Sequence, residues 1–255
     1  MKRQARRPSS PTLEAEGVIK KVQVYLEAGA DGRAMAHVLH LPGCTAAAET
    51  REAALTAVPI AIQGYLTWLG THGEDADGET GEIEVVEESH GFGPFDPGDR
   101  AALFGPDREP LAREELERLF RLMGYSRHDL LALIAGVPDG LLCEEYTTGW
   151  SVERILRHIG GAEIWYVTRI DQDWHLPGYE EHRVRDTALD WLEWTRQSAM
   201  RRLGELYPHE RSQVFCPSRY TDHPDELWTA RKVFRRFLEH EREHTAQIEA
   251  ILRAR

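Results

Sequence analysis

The sequence predicts an α+β protein, a small N-terminal α/β domain followed by an all-α four-helix bundle. Three observations lead there. Residues 18–88 mix period-two apolar stretches with glycine turns and one helical stretch. Residues 89–110 are rich in Gly, Pro and Asp and read as a linker. From Leu111 to the end, apolar residues recur at three- and four-residue spacing, with no strand pattern between the helical runs. A chain of 255 residues with 41% hydrophobic content is long enough for two soluble domains.

Residues 1–17 begin basic, turn Ser/Pro-rich and carry no apolar run of the secretory kind, so a disordered tail is expected. Val18–Leu26 alternates as a strand should, and Ala28–Gly32 supplies a turn. Arg33–Leu41 reads as the returning strand, ended by Pro42-Gly43-Cys44. Thr50 is an expected N-cap for a helix over Arg51–Leu69, with a kink or a restart at Pro59. Glu82–Glu88 is the last strand of this part.

In the second part the first helix carries Leu116, Leu119, Phe120, Met123, Leu130 and Ile134, and Gly136-Val137-Pro138 stops it. Ser151 suits the N-cap of a second helix, Val152–Ile170. A loop over Asp171–Glu181 leads to a third helix, Asp186–Leu206. A long connection then leads to the fourth, Glu226–Arg255. Bundles of this kind assemble metal sites from facing helices.

Composition narrows the function classes. The net charge of −12 argues against broad nucleic-acid binding. The three cysteines, Cys44, Cys143 and Cys216, lie far apart, so neither a zinc knuckle nor a disulfide framework is expected. A reducing cytoplasm is the expected compartment, and no membrane span is expected.

The chemistry concentrates in Phe237–Ile248. His240 and His244 stand four residues apart, on one face of a helix about one turn apart. That face continues through Val233, Phe237, Ile248 and Ile251, so two imidazoles interrupt a core-facing stripe. Either they are hydrogen-bonded core histidines or they hold a metal ion. With Glu241, the run formally reads His-Glu-x-x-His, the pattern of a zinc peptidase. No further histidine ligand follows it, and Glu241 and Glu243 read better as solvated residues or as supports for a ligand. His158 on the second helix is the third candidate ligand. Gln247, one turn after His244, could support it, and Trp165 and Tyr166 either line a pocket or belong to the core. Arg231, Arg235 and Arg236 read as a solvated helix face or a lure for an anion. His37 and His40 read as surface or hydrogen-bonded residues of the first domain.

Two stretches resemble known families. His40-Leu41-Pro42-Gly43-Cys44, followed by Ala48-Glu49-Thr50-Arg51-Glu52-Ala53-Ala54-Leu55, resembles the HicB-like domain over residues 18–88. In that family the domain is the antitoxin half of a toxin–antitoxin pair, beside a DNA-binding segment. No such DNA reader follows here, so the resemblance implies a structural or partner-binding module. Trp150-Ser151-Val152, Ile155-Leu156 and His158, taken with Phe237-Leu238, His240, His244 and Gln247-Ile248, resemble the DinB-like family over residues 111–254.

That second resemblance implies an up-up-down-down bundle binding a divalent metal, zinc or nickel, through His158, His240 and His244. It also implies a metal-dependent enzyme, with transfer to or from a low-molecular-weight thiol among the family's activities. The competing class is a non-catalytic metal-binding stress or interaction protein whose first domain docks a partner. Long exposed helices would also allow a homodimer.

Overall fold

The computed structural model describes residues 21–75, 81–91, 93, 95, 102–145, 149–221, 223 and 225–254. The expected tail, the first residues of the expected first strand and part of the expected linker lie outside them. The first layer is a four-stranded sheet of β1 (Lys21–Ala28), β2 (Ala34–His37), β3 (Thr45–Ala48) and β4 (Glu82–His90), in the order β3-β2-β1-β4. β1–β2 and β2–β3 are antiparallel, and β1–β4 is parallel. Helix α1 (Arg51–Thr71) crosses over from β3 to β4.

β3 was not expected. Its sequence, Thr-Ala-Ala-Ala, lacks the β-branched alternation that marks a strand. It pairs because Pro42-Gly43-Cys44 turns the chain back on β2, with Gly43 at φ +91. The expected N-cap is present, Thr50 Oγ1 accepting from the Ala53 amide at 3.2 Å. α1 neither stops nor restarts at Pro59. That residue is exposed, so water can reach the Leu55 carbonyl its ring leaves without a donor. α1 also corrects the membrane expectation, since Ala53–Thr71 holds no charged residue and the helix is long and apolar enough to cross a membrane. Its face of Ala54, Val58, Ile62, Tyr65 and Leu69 is buried in the protein core.

The helical part comprises α2 (Arg113–Ile134), α3 (Asp139–Leu142), α4 (Val152–Thr168), α5 (Tyr179–Arg185), α6 (Ala188–Gly204) and α7 (Ala230–Arg253). α4 packs on α6 and α7, and α2 packs on α7. Three of the long helices begin at hydroxyl caps: Ser151, Thr187 and Thr229 accept from the amides of Arg154, Asp190 and Lys232. α5 begins within the expected loop and runs past its end at Glu181. The fourth helix starts at Ala230 rather than Glu226, because Phe215 and Trp228 pair as a β-bridge just ahead of the Thr229 cap.

The sheet and the bundle bury one continuous apolar cluster. Side chains alternate along β1, so Val22, Val24 and Leu26 share one face and Tyr25 and Glu27 the other. The second face meets α7. There His37 on β2 is fully buried, with Nδ1 2.8 Å from Glu239 Oε1 and Nε2 3.6 Å from Glu27. His37 is thus the hydrogen-bonded alternative rather than a surface residue. Phe104 is buried against the rings of Tyr25 and His37, under the Arg235 guanidinium.

Burial disfavours a charged His37, yet the charge and hydrogen bond of Glu239, with help from Glu27, outweigh it and raise its pKa. A raised folded-state value makes this contribution complete below the ordinary histidine range and lost as pH rises through the shifted value. The stability gap between the wild type and His37→Gln, from urea unfolding, should therefore be wider at about pH 6 than at about pH 9. An equal gap at both would show that His37 is neutral throughout.

Candidate metal centre

α4 and α7 bring the predicted histidines together. His158 stands on α4 and is exposed, His240 is 6% exposed, and His244 lies half-buried one turn further along α7. His240 Nε2 lies 3.0 Å from His158 Nε2 and 3.1 Å from His244 Nε2, and the possible ligand atoms of the three all fall within 4.8 Å of one another. Zinc–nitrogen bonds of about 2.0–2.1 Å in tetrahedral geometry place ligand nitrogens about 3.4 Å apart. The two spacings to His240 are a few tenths of an ångström shorter than that.

Protons fill this arrangement poorly, since a single hydrogen would have to be shared between two acceptors. One imidazole nitrogen either donates a single hydrogen or offers a single lone pair. His240 Nε2 has two nitrogens at contact distance, so one hydrogen bond leaves the other contact unmet. Three lone pairs turned to one cation remove the conflict.

The surroundings favour that state. Burial first, then the neighbouring His244 and His158, hold the pKa of His240 well below its ordinary value. Burial pushes His244 down to about 4. Gln247 Oε1 lies 2.8 Å from His244 Nδ1, so with that nitrogen protonated Nε2 keeps its lone pair for the centre. Trp150 sets its edge against His158 with ring centroids 5.2 Å apart, and the buried Tyr166 meets His240 at 5.8 Å. The walls are aromatic, and the opening is on the exposed His158 side.

Other expectations need correction. Glu241 is neither solvated nor turned toward the histidines. It is buried, 2.6 Å from Arg127 Nε and 2.9 Å from Arg196 Nη2. Glu163 closes the cluster, 2.5 Å from both guanidiniums. A peptidase base is therefore not on offer from the His-Glu-x-x-His run. Arg235 and Arg236 are not a solvated face either. Arg235 pairs with Asp107 at 2.9 Å and Glu239 at 3.1 Å, and Arg236 with Glu239 at 2.9 Å. Arg231 pairs with Glu115 at 2.7 Å.

The Arg127–Glu163–Arg196–Glu241 cluster went unrecognised in the sequence, although it left a signal. Each member interrupts the apolar stripe of its own helix, one on each of α2, α4, α6 and α7, and the four charges sum to zero.

No family model matches the chain, and no curated protein matches it. Among solved structures it is similar to YfiT from Bacillus subtilis, described as a probable metal-dependent hydrolase with an unusual four-helix bundle topology. The identity is 15% over 57% of this chain and 90% of that one, with a TM-score of 0.43, a likeness too slight to assign a fold or an activity.

Replacing Glu241 by Leu would leave two buried guanidiniums sharing one carboxylate. The loss should be about 3–5 kcal/mol in denaturant unfolding. A loss under about 1 kcal/mol would mean that the cluster is hydrated and interchangeable with apolar packing.

Proposed function

We propose that this protein binds one divalent metal ion through His158, His240 and His244 and works as a DinB-like metal enzyme on small-molecule thiols. The observation that carries the reading is the convergence of three Nε2 atoms, two of them at contact distance from the third, which one linear hydrogen bond cannot fill. Three imidazoles suit zinc or nickel and leave coordination positions for a reactant. An ion held there would lower the pKa of a coordinated thiol, supplying a thiolate nucleophile at neutral pH.

The chain's own residues have defined parts in this scheme. Gln247 fixes the tautomer and ring angle of His244. Trp150 and Tyr166 keep water from two sides of the imidazoles, while the exposed side at His158 admits the reactant. The transfer forms a sulfur–carbon bond as the electrophile's leaving group departs with its electron pair, and the thiol proton passes to solvent. The N-terminal sheet, read as HicB-like, serves in this proposal to bury α7, because its inner face is taken up by the His37–Glu239 contact.

Elemental analysis after zinc or nickel loading tests the binding. About one ion per chain is expected for the native protein, and none above background for the variant with His240→Ala and His244→Ala. Equal metal in both proteins would place the ion elsewhere. No metal in either, with the native fold intact, would make the three histidines core residues.

A further inference from the structure

Two turns along α4 from His158 lies a second feature that the metal centre does not use. A cavity of about 440 Å³ opens between α4 and the segments around Trp174, Tyr179 and Tyr220. Trp165, Trp174, Tyr179 and Tyr220 line it, together with Gly161 and Ile164 of α4. Among the described residues, none of the four rings lies against another of the four. Trp165 packs on Tyr166 and Trp228, and Tyr179 on Trp191 and Trp194. They therefore leave aromatic surface to the cavity, of a size usual for small-molecule pockets.

Two further observations show that the opening is built. Tyr220 is 66% exposed and holds φ +56, the left-handed region a tyrosine avoids. Its carbonyl is clamped by Trp165 Nε1 at 2.7 Å, and the neighbouring Arg219 carbonyl by Arg169 Nη2 at 2.8 Å. Gly161 leaves its part of the lining open, because a Cβ there would meet nothing within 4 Å.

We infer that this cavity binds the neutral planar aromatic ring of a small-molecule ligand. An organic cation fits less well, because the Arg169 guanidinium already lies 4.4 Å from the centre of the Trp165 ring and Glu180, the carboxylate in the lining, is paired with Arg183 at 2.7 Å. Edge and offset contacts with several rings favour a flat, uncharged partner. Trp165 stands seven residues after His158 on nearly the same face of α4, about 10 Å along the axis. A substrate with its ring here and its reacting end at the histidines would span that distance. This last point alone rests on the function proposed above.

Fluoroindole, followed by fluorine NMR, tests the inference with the full-length protein, both zinc-loaded and chelator-stripped. Its line should broaden in either form. Binding should weaken about three- to tenfold in Tyr220→Gly, which removes one ring and relieves the backbone. It should weaken at least as much in Gly161→Leu, which fills that part of the lining while favouring the helix. Both variants should unfold at the same urea concentration as the wild type or higher, so that lost binding is not lost folding. No broadening with the wild type, or unchanged binding in both variants, would overturn the inference. So would displacement of the probe by tetramethylammonium as readily as by indole. Broadening in protein that never takes up zinc would leave the ring site standing and the metal reading fallen. Zinc uptake without broadening would do the reverse.

Discussion

Helix α7 buries Lys232, Arg235, Arg236, Glu239 and Glu241, and a charge left alone in a protein interior costs several kcal/mol. Each must therefore meet an opposite charge or a polar acceptor, and the meetings that reach beyond α7 hold the sheet, the Asp107 segment, α2 and α6 against it. Glu239 draws His37 and the sheet to one side of the helix. Arg235 draws Asp107 from the segment between the sheet and the bundle. Glu241 draws α2 and α6 to the other side through Arg127 and Arg196. Lys232 donates to the Leu227 carbonyl over the Trp228 ring, and burial pushes its pKa down to about 7.

His240 sits between two of these anchors, flanked by Glu239 and Glu241, which face opposite partners. A helix held from both sides has little freedom to rotate, so the direction of His240 and His244 is set by the packing of their neighbours. The turn at Leu41–Cys44 adds to this from the sheet. A Cβ on Gly43 would come within 3.0 Å of Leu238 and 3.1 Å of Arg242, so only glycine lets the turn lie this close to α7. The turn at Leu41–Cys44 thus serves as a seat for α7.

Much of this was legible in the sequence, where a local rule had no competitor. Thr50 and Ser151 cap their helices as their side chains dictate, and His240 and His244 declare themselves by breaking an apolar stripe at helical spacing. The candidate ligands were all named from spacing and motif resemblance. Elements whose form is set by distant partners were not legible. β3 exists because β2 offers it an edge, although its alanines favour a helix. The charges at 235 and 241 looked like a wet face because a periodic pattern cannot say that counter-charges arrive from elements more than 40 residues away. The aromatic cavity was hidden for the same reason, since its walls come from positions 165, 174, 179 and 220.

In the function proposed above, a doubly anchored α7 aims two imidazoles, with His158 from α4, at a single ion. X-ray absorption spectroscopy at the zinc edge of the loaded protein tests it most directly. Three imidazole nitrogens are expected at about 2.0–2.1 Å, with their outer-ring scattering, and the remaining positions filled by light atoms. A first shell with one imidazole or none, or one dominated by carboxylate oxygens, would contradict it.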